Sequence, residues 1–270
     1  EVKEIFQEYF KDKLEIGANF SVVKNREILV NIYGGEKNNK DPWDENTIAN
    51  TFSLSKGIYA GCIANLIEKS EISLNKKISY YWPEFEINKK NIEVKHLLSH
   101  QSGLYRFKQK LTNDDLLDFD KITKILEKQE PDHKPGEKTF YHAKTHGYLI
   151  DNLIRKVTNL SLKKFFKEKF SSKYNLNFNF GFEERDFENV CDLVQNKNIE
   201  KEKVVEFTPF NNPEHEFNFY NTRKWRLGGV ASMGGHGSAL SIAKLYDLLA
   251  NDLKSNNKEI ISHKKFKEIL

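Results

Sequence analysis

Only two cysteines, Cys62 and Cys191, occur among the 270 residues, too few for a disulfide framework. Cys62 falls inside an apolar helical pattern and reads as a small core filler. No apolar run approaches the length of a membrane span. Neither sign of charge dominates: 43 Lys and Arg against 39 Asp and Glu leave +4, with both signs interspersed. That mixture describes a solvated surface rather than a nucleic-acid footprint, so no nucleic-acid partner is expected. No internal repeat occurs and no signal peptide is visible. The chain begins at Glu1, which leaves cytoplasmic and periplasmic locations both open. What is plentiful is aromatic: 20 Phe and 11 Tyr, enough to build a core, so disorder is not expected.

Val2, Ile5, Phe6, Tyr9 and Phe10 recur at helical spacing, and residues 18–23 and 28–33 read as two strands around a polar turn at Lys24-Asn25-Arg26. Gly34-Gly35 closes this hairpin, and a polar loop with Pro42-Trp43 follows. The next stretch, Thr51 to Leu66, reads as a strand or loop entering a buried helix. Leu74 to Phe85 is turn-rich because of Pro83, and short helices are expected at 94–98 and within 116–126. Tyr148, Leu149, Leu153, Ile154 and Val157 predict one buried helix, and Leu162, Phe165, Phe166 and Phe170 another. Residues 171–222 are aromatic and irregular, as in an insertion or lid. After the glycines at 234–237, Ile242, Leu245, Leu249 and Leu253 mark a clear amphipathic helix. An isolated hairpin is marginal. Either 171–222 supplies further strands, or the sheet is completed by sequence beyond this chain, which is the expectation preferred here.

The chemistry-bearing stretch is Thr51-Phe52-Ser53-Leu54-Ser55-Lys56-Gly57. A serine and a lysine three apart on a helix share a face, so the amine can reach the hydroxyl. The helix N-terminus favours an oxyanion and disfavours an ammonium. Spacing alone selects nothing, because Ser-x-x-Lys also occurs at Ser21, Ser73, Ser161, Ser241, Ser255 and Ser262.

Several segments together resemble the serine β-lactamase-related superfamily, most closely its carboxylesterase-like group related to class C β-lactamases. They are Phe52–Lys56; Tyr81-Trp82-Pro83-Glu84-Phe85; Leu97–Leu104, reading LLSHQSGL; Pro135-Gly136 leading to Tyr141-His142-Ala143; and Gly235–Ala239 before the last helix. The resemblance implies an α/β (α+β) fold in one hydrolase domain over 1–270. Residues 1–45 would give a helix and sheet hairpin, and 46–270 a helical lobe carrying the site. It implies Ser53 as nucleophile, Lys56 as proton partner and Tyr141 as second base or relay. The Ser53 N–H would be one oxyanion donor. His142, Ala143, Gly235 and His236 become candidate substrate contacts. No cofactor or metal is implied, and the partner would be a small ester or amide.

Two departures stand out. Where class C enzymes place an amide side chain two residues after the tyrosine, this chain has Ala143, which favours esters over β-lactams. No Lys-Thr-Gly or His-x-Gly motif follows residue 240, so the later strands and a second oxyanion donor are expected to be missing. A β-lactamase or D-Ala-D-Ala peptidase, and a non-catalytic binding relative, therefore stay as alternatives. Whether Lys56 or Tyr141 is the base stays open too. His142 and His146 sit four apart but lack the glutamate of a zinc helix, and His100 with Ser102 is expected to be a structural turn.

Overall fold

Apolar residues at helical spacing produce α1 (Val2–Lys11), whose Phe6 and Phe10 rings meet edge to face at 5.2 Å. Strands β1 (Gly17–Lys24) and β2 (Glu27–Gly35) pair antiparallel, Gly17 opposite Gly35 and Lys24 opposite Glu27, with a bulge after Val22. Asn25 and Arg26 both take positive φ, 53° and 67°, as a two-residue hairpin turn requires.

The computed structural model describes residues 1–38, 40–85, 91–195, 208–255 and 260–269. Beyond the hairpin, β3 (Ala49–Asn50) leads into α2 (Leu54–Glu68). Short helices α3 (Ile78–Tyr81), α4 (Val94–Leu98) and α5 (Asn113–Leu117) precede α6 (Phe119–Lys128). The long α7 (Thr145–Thr158) runs into α8 (Leu162–Phe166) and α9 (Ser172–Tyr174) through a π turn. Strand β4 (Phe178–Phe180), α10 (Arg223–Gly228), β5 (Gly235–Gly237), α11 (Ala239–Ser255) and α12 (His263–Ile269) complete the order. The side chain of Leu253 and residues 196–207 of the irregular segment lie outside the described residues.

The helical lobe owes its coherence to α2, which is apolar on most of its circumference. Ile58, Tyr59, Cys62, Ile63 and Leu66 are all buried in one cluster with residues of α4, α6, α7 and α8. Burial pushes the Cys62 thiol far up, which keeps it an inert filler. Two segments take a definite form here. The 78–85 stretch holds a helical turn, α3, before Pro83 starts a 3₁₀ turn, a position where a missing N–H costs nothing. The glycine run, to which the sequence alone assigns no element, is a strand, β5. It lies between β3 and β4 in a second antiparallel sheet. Glycine is a poor strand former, but a Cβ on Gly235 would come within 2.6 Å of the Phe178 ring, so only a bare backbone fits there. The strand supplied by 171–222 thus joins this sheet, and among the described residues the hairpin stays two-stranded.

Because Ile63 is 1% exposed at the centre of the main cluster, Ile63→Ala is expected to cost roughly 2–5 kcal/mol. Urea denaturation monitored by tryptophan fluorescence measures it.

Candidate active site

Ser53 stands at the N-cap of α2, and Ser is a preferred capping residue. Its hydroxyl nevertheless makes no cap bond. The contrast with two other Ser-x-x-Lys matches is direct. Ser161 accepts the Lys164 N–H at 3.3 Å and Ser262 accepts the Lys265 N–H at 3.4 Å, so in both the four-residue spacing is a helix cap. Ser21 lies within β1. The exposed Ser53 hydroxyl instead accepts from Lys56 Nζ at 3.2 Å. Phe52, just before it, takes φ 44°, an uncommon conformation for a bulky residue that turns the chain sharply into the helix. The Phe52 ring is braced edge-on against Tyr220 at 5.0 Å.

Lys56 is held by three segments. Besides Ser53, its amine donates to the Ala143 carbonyl at 3.0 Å and the Ser232 carbonyl at 2.8 Å. Burial lowers its pKa from the ordinary 10.5 to about 8. The cause is desolvation, whereas the sequence had suggested the helix N-terminus. Ser232 reaches the amine because α7 comes in very close: a Cβ on Gly147 would sit 2.3 Å from the Ser232 nitrogen. The opposite side of α2 is fastened by Ser55, fully buried, whose hydroxyl accepts the Gly235 N–H at 3.1 Å and contacts Thr51 Oγ1 at 3.1 Å.

Tyr141 lies on the loop before α7, partly exposed, with Lys56 Nζ 5.0 Å from its ring centroid. Ala143 N–H donates to its carbonyl at 3.0 Å, closing a tight turn. Hydroxyl, amine and phenol thus converge from two elements 85 residues apart in sequence, with a third, 231–234, completing the lysine's shell.

This arrangement can be set beside known proteins. The beta-lactamase family model matches residues 2–267. The chain belongs to the beta-lactamase family. Among curated relatives, the esterase/beta-lactamase LipL of Mycobacterium tuberculosis is 33% identical over 129 residues, 47% of this chain and 30% of that protein. The teichoic acid D-alanine hydrolase of Staphylococcus aureus is 28% identical over 125 residues, 46% of this chain and again 30% of the relative. A solved family VIII carboxylesterase superposes with a TM-score of 0.89 at 30% identity, over 99% of this chain and 73% of its own. The matches to the two curated relatives span less than a third of their length.

Geometry places most of the other candidate residues inside the protein. His142 is fully buried: Nδ1–H donates to the Phe140 carbonyl at 2.7 Å and Nε2 accepts from the Ser102 hydroxyl at 2.7 Å. Ser102 thus bonds to His142 rather than to His100. His236 is 1% exposed, its ring edge-on to Phe182 at 4.6 Å and its Nδ1 donating to Gly234 O at 3.1 Å. Gly235 bonds Ser55 and Thr51. His142, Gly235 and His236 thus face the interior, where they shape the site without an open surface for substrate. Ala143 is buried as well and acts through its carbonyl. His146 accepts from the Tyr59 hydroxyl at 2.5 Å and donates to Leu97 O at 3.0 Å, so the ring nitrogens of the His142/His146 pair are engaged within the protein. Burial, with the neighbouring histidines and Lys56, keeps both imidazoles neutral, His142 down to about 3. Among the described residues no group of three or more His, Cys, Asp or Glu could hold a metal ion, and no helix is long and apolar enough to cross a membrane. Sequence reasoning missed Ser232, Ser55 and Thr51. The two hydroxyls work by contacts across the fold, and Ser232 by a backbone oxygen that any residue carries.

A lysine whose folded value lies below its unfolded one binds fewer protons when folded. Stability should therefore rise with pH between about 8 and 10.5 on account of Lys56. Lys144, lowered to about 7 by burial, adds its own rise. In Lys56→Met the Lys56 part of the slope is expected to vanish while the Lys144 part stays. Urea midpoints of both proteins across that window measure the difference.

Proposed function

We propose that the chain is a serine hydrolase that cleaves carboxylic esters through an acyl-enzyme on Ser53. One observation carries this reading: an exposed helix-terminal hydroxyl that declines its capping role and is bonded to a half-buried amine with a pKa near 8. A base of that affinity is part neutral at ordinary pH and can take the hydroxyl proton. The Ser53 oxygen then bonds to the ester carbonyl carbon. The negative charge that develops on the carbonyl oxygen faces the Ser53 N–H and the N-terminus of α2. As the tetrahedral species collapses, the C–O bond to the alcohol breaks and the alkoxide takes the proton from Lys56, with the Tyr141 hydroxyl as relay. Water next attacks the acyl carbon by the same proton path and frees Ser53. The Ala143 and Ser232 carbonyls hold the amine throughout, so neither reorganises as charge moves.

The rim of the site supports an ester with an apolar group. Phe210, 65% exposed, stacks on Tyr141 at 6.1 Å, and Leu54 beside the nucleophile is 43% exposed. Phe210 is presented by a loop that is firmly tied. Asn212, two residues on, donates to the Gln109 and Phe107 carbonyls at 2.7 and 3.2 Å and accepts the Leu111 N–H at 3.0 Å. Ala143 offers no side-chain amide for a β-lactam or peptide to pair with. The similarity to an esterase/beta-lactamase and to a carboxylesterase supports the ester class.

A fluorophosphonate should add its mass to Ser53 in the wild type and to no serine in Ser53→Ala; labelling that persists in the variant refutes the assignment. Turnover of a p-nitrophenyl ester should exceed that of a cephalosporin, and the reverse order would favour a β-lactamase. With neutral Lys56 as the active form, kcat/KM should climb about tenfold per pH unit at low pH and level off above about 8. In Lys56→Met that limb is expected to disappear along with most of the activity.

A further inference from the structure

The turn that follows α4 plays no part in the proton path above, yet its contacts converge on one stretch, 136–142. His100 carries φ 61°, a left-handed conformation disfavoured for any residue with a Cβ. Strain of this kind persists where the surroundings over-determine it, and often at functional sites. Held so, His100 meets both neighbours of Tyr141. Its carbonyl accepts the Phe140 N–H at 3.1 Å, and its Nδ1 accepts the His142 N–H at 3.1 Å. Its ring lies against the Tyr141 ring, with centroids 4.9 Å apart. On its other side the imidazole packs at 4.5 Å against His146, which Tyr59 and Leu97 fix in turn. The following residues extend the grip: the Gln101 carbonyl accepts the Gly136 N–H at 3.0 Å, and Gln101 Nε2 donates to Thr139 Oγ1 at 3.2 Å.

We propose that His100 is the positioning residue for Tyr141: backbone, ring nitrogen and ring face together set the phenol beside Lys56. This rests on the reading that Tyr141 lies on the proton path. The Nδ1 bond requires that nitrogen to be unprotonated. Burial, reinforced by the Lys56 charge, meets that requirement by holding the imidazole neutral down to about 4. Tyr141 sits on a partly exposed loop with no helical bond of its own to orient it, and His100 supplies the missing reference points.

The test uses p-nitrophenyl ester turnover with fluorophosphonate labelling as its control. A wild type that neither labels nor turns over any ester sinks the hydrolase reading, which separates that failure from the present one. In an active protein, His100→Gly adopts the left-handed turn freely but lacks ring and acceptor. It is expected to lose about 10²-fold in kcat, the scale of a misplaced catalytic group, with KM changed less than kcat. His100→Asn tolerates the same backbone and offers Oδ1 to the His142 N–H, so it should recover most of the loss. In a Tyr141→Phe background, His100→Gly should cost little more, because no hydroxyl is left to place. Wild-type kcat in His100→Gly, or an equal loss in both backgrounds, overturns the proposal. Should the glycine variant fail to fold, His100→Asn decides: turnover no better than that of Tyr141→Phe overturns it.

Discussion

Three segments far apart in sequence meet on one amine. Lys56 Nζ donates to the Ser53 hydroxyl, to the Ala143 carbonyl before α7 and to the Ser232 carbonyl before β5. A buried ammonium is costly unless its protons find acceptors. Here all three do, and two of the acceptors are backbone carbonyls that cannot rotate away. The burial that lowers the amine's proton affinity also requires this cradle. The same construction therefore accounts both for the lysine's place in the fold and for its lowered proton affinity.

Much of the surrounding fold can be understood as support for that meeting point. The apolar circumference of α2 fixes its axis in the main cluster, while Ser55 and Thr51 pin its first turn to β5. Gly147 lets α7 approach until Ser232 is within reach of the amine. Behind Tyr141, the imidazoles of His142 and His146 each have both nitrogens bonded, leaving neither free to compete with Lys56 for a proton. The exposed groups are few and differ in kind: the Ser53 hydroxyl, the edge of Tyr141, and the apolar side chains of Phe210 and Leu54. Rigid polar contacts lie below and an apolar rim above.

The sequence by itself determined the family and most helices, and it brought Ser53, Lys56 and Tyr141 forward as candidates. Each of these is written locally, as an apolar period, as a short motif, or as motifs in a fixed order. It also signalled the absent amide at Ala143. It could not tell Ser53 from Ser161 or Ser262 by spacing, since a capping serine and one bonded to the lysine amine share the pattern and differ only in what the hydroxyl touches. It assigned no element to the glycine run at 235–237, because strand propensity is overridden where the Phe178 ring demands a bare backbone. It offered His142, Gly235 and His236 as substrate contacts, because a polar or small residue in a motif looks alike whether it faces solvent or core. Tertiary structure alone decided the lysine's proton affinity, the Ser232 carbonyl as its third partner and the hold of His100 on Tyr141. Desolvation and long-range hydrogen bonds depend on which distant segments close over a group, and no local pattern of residue types records that.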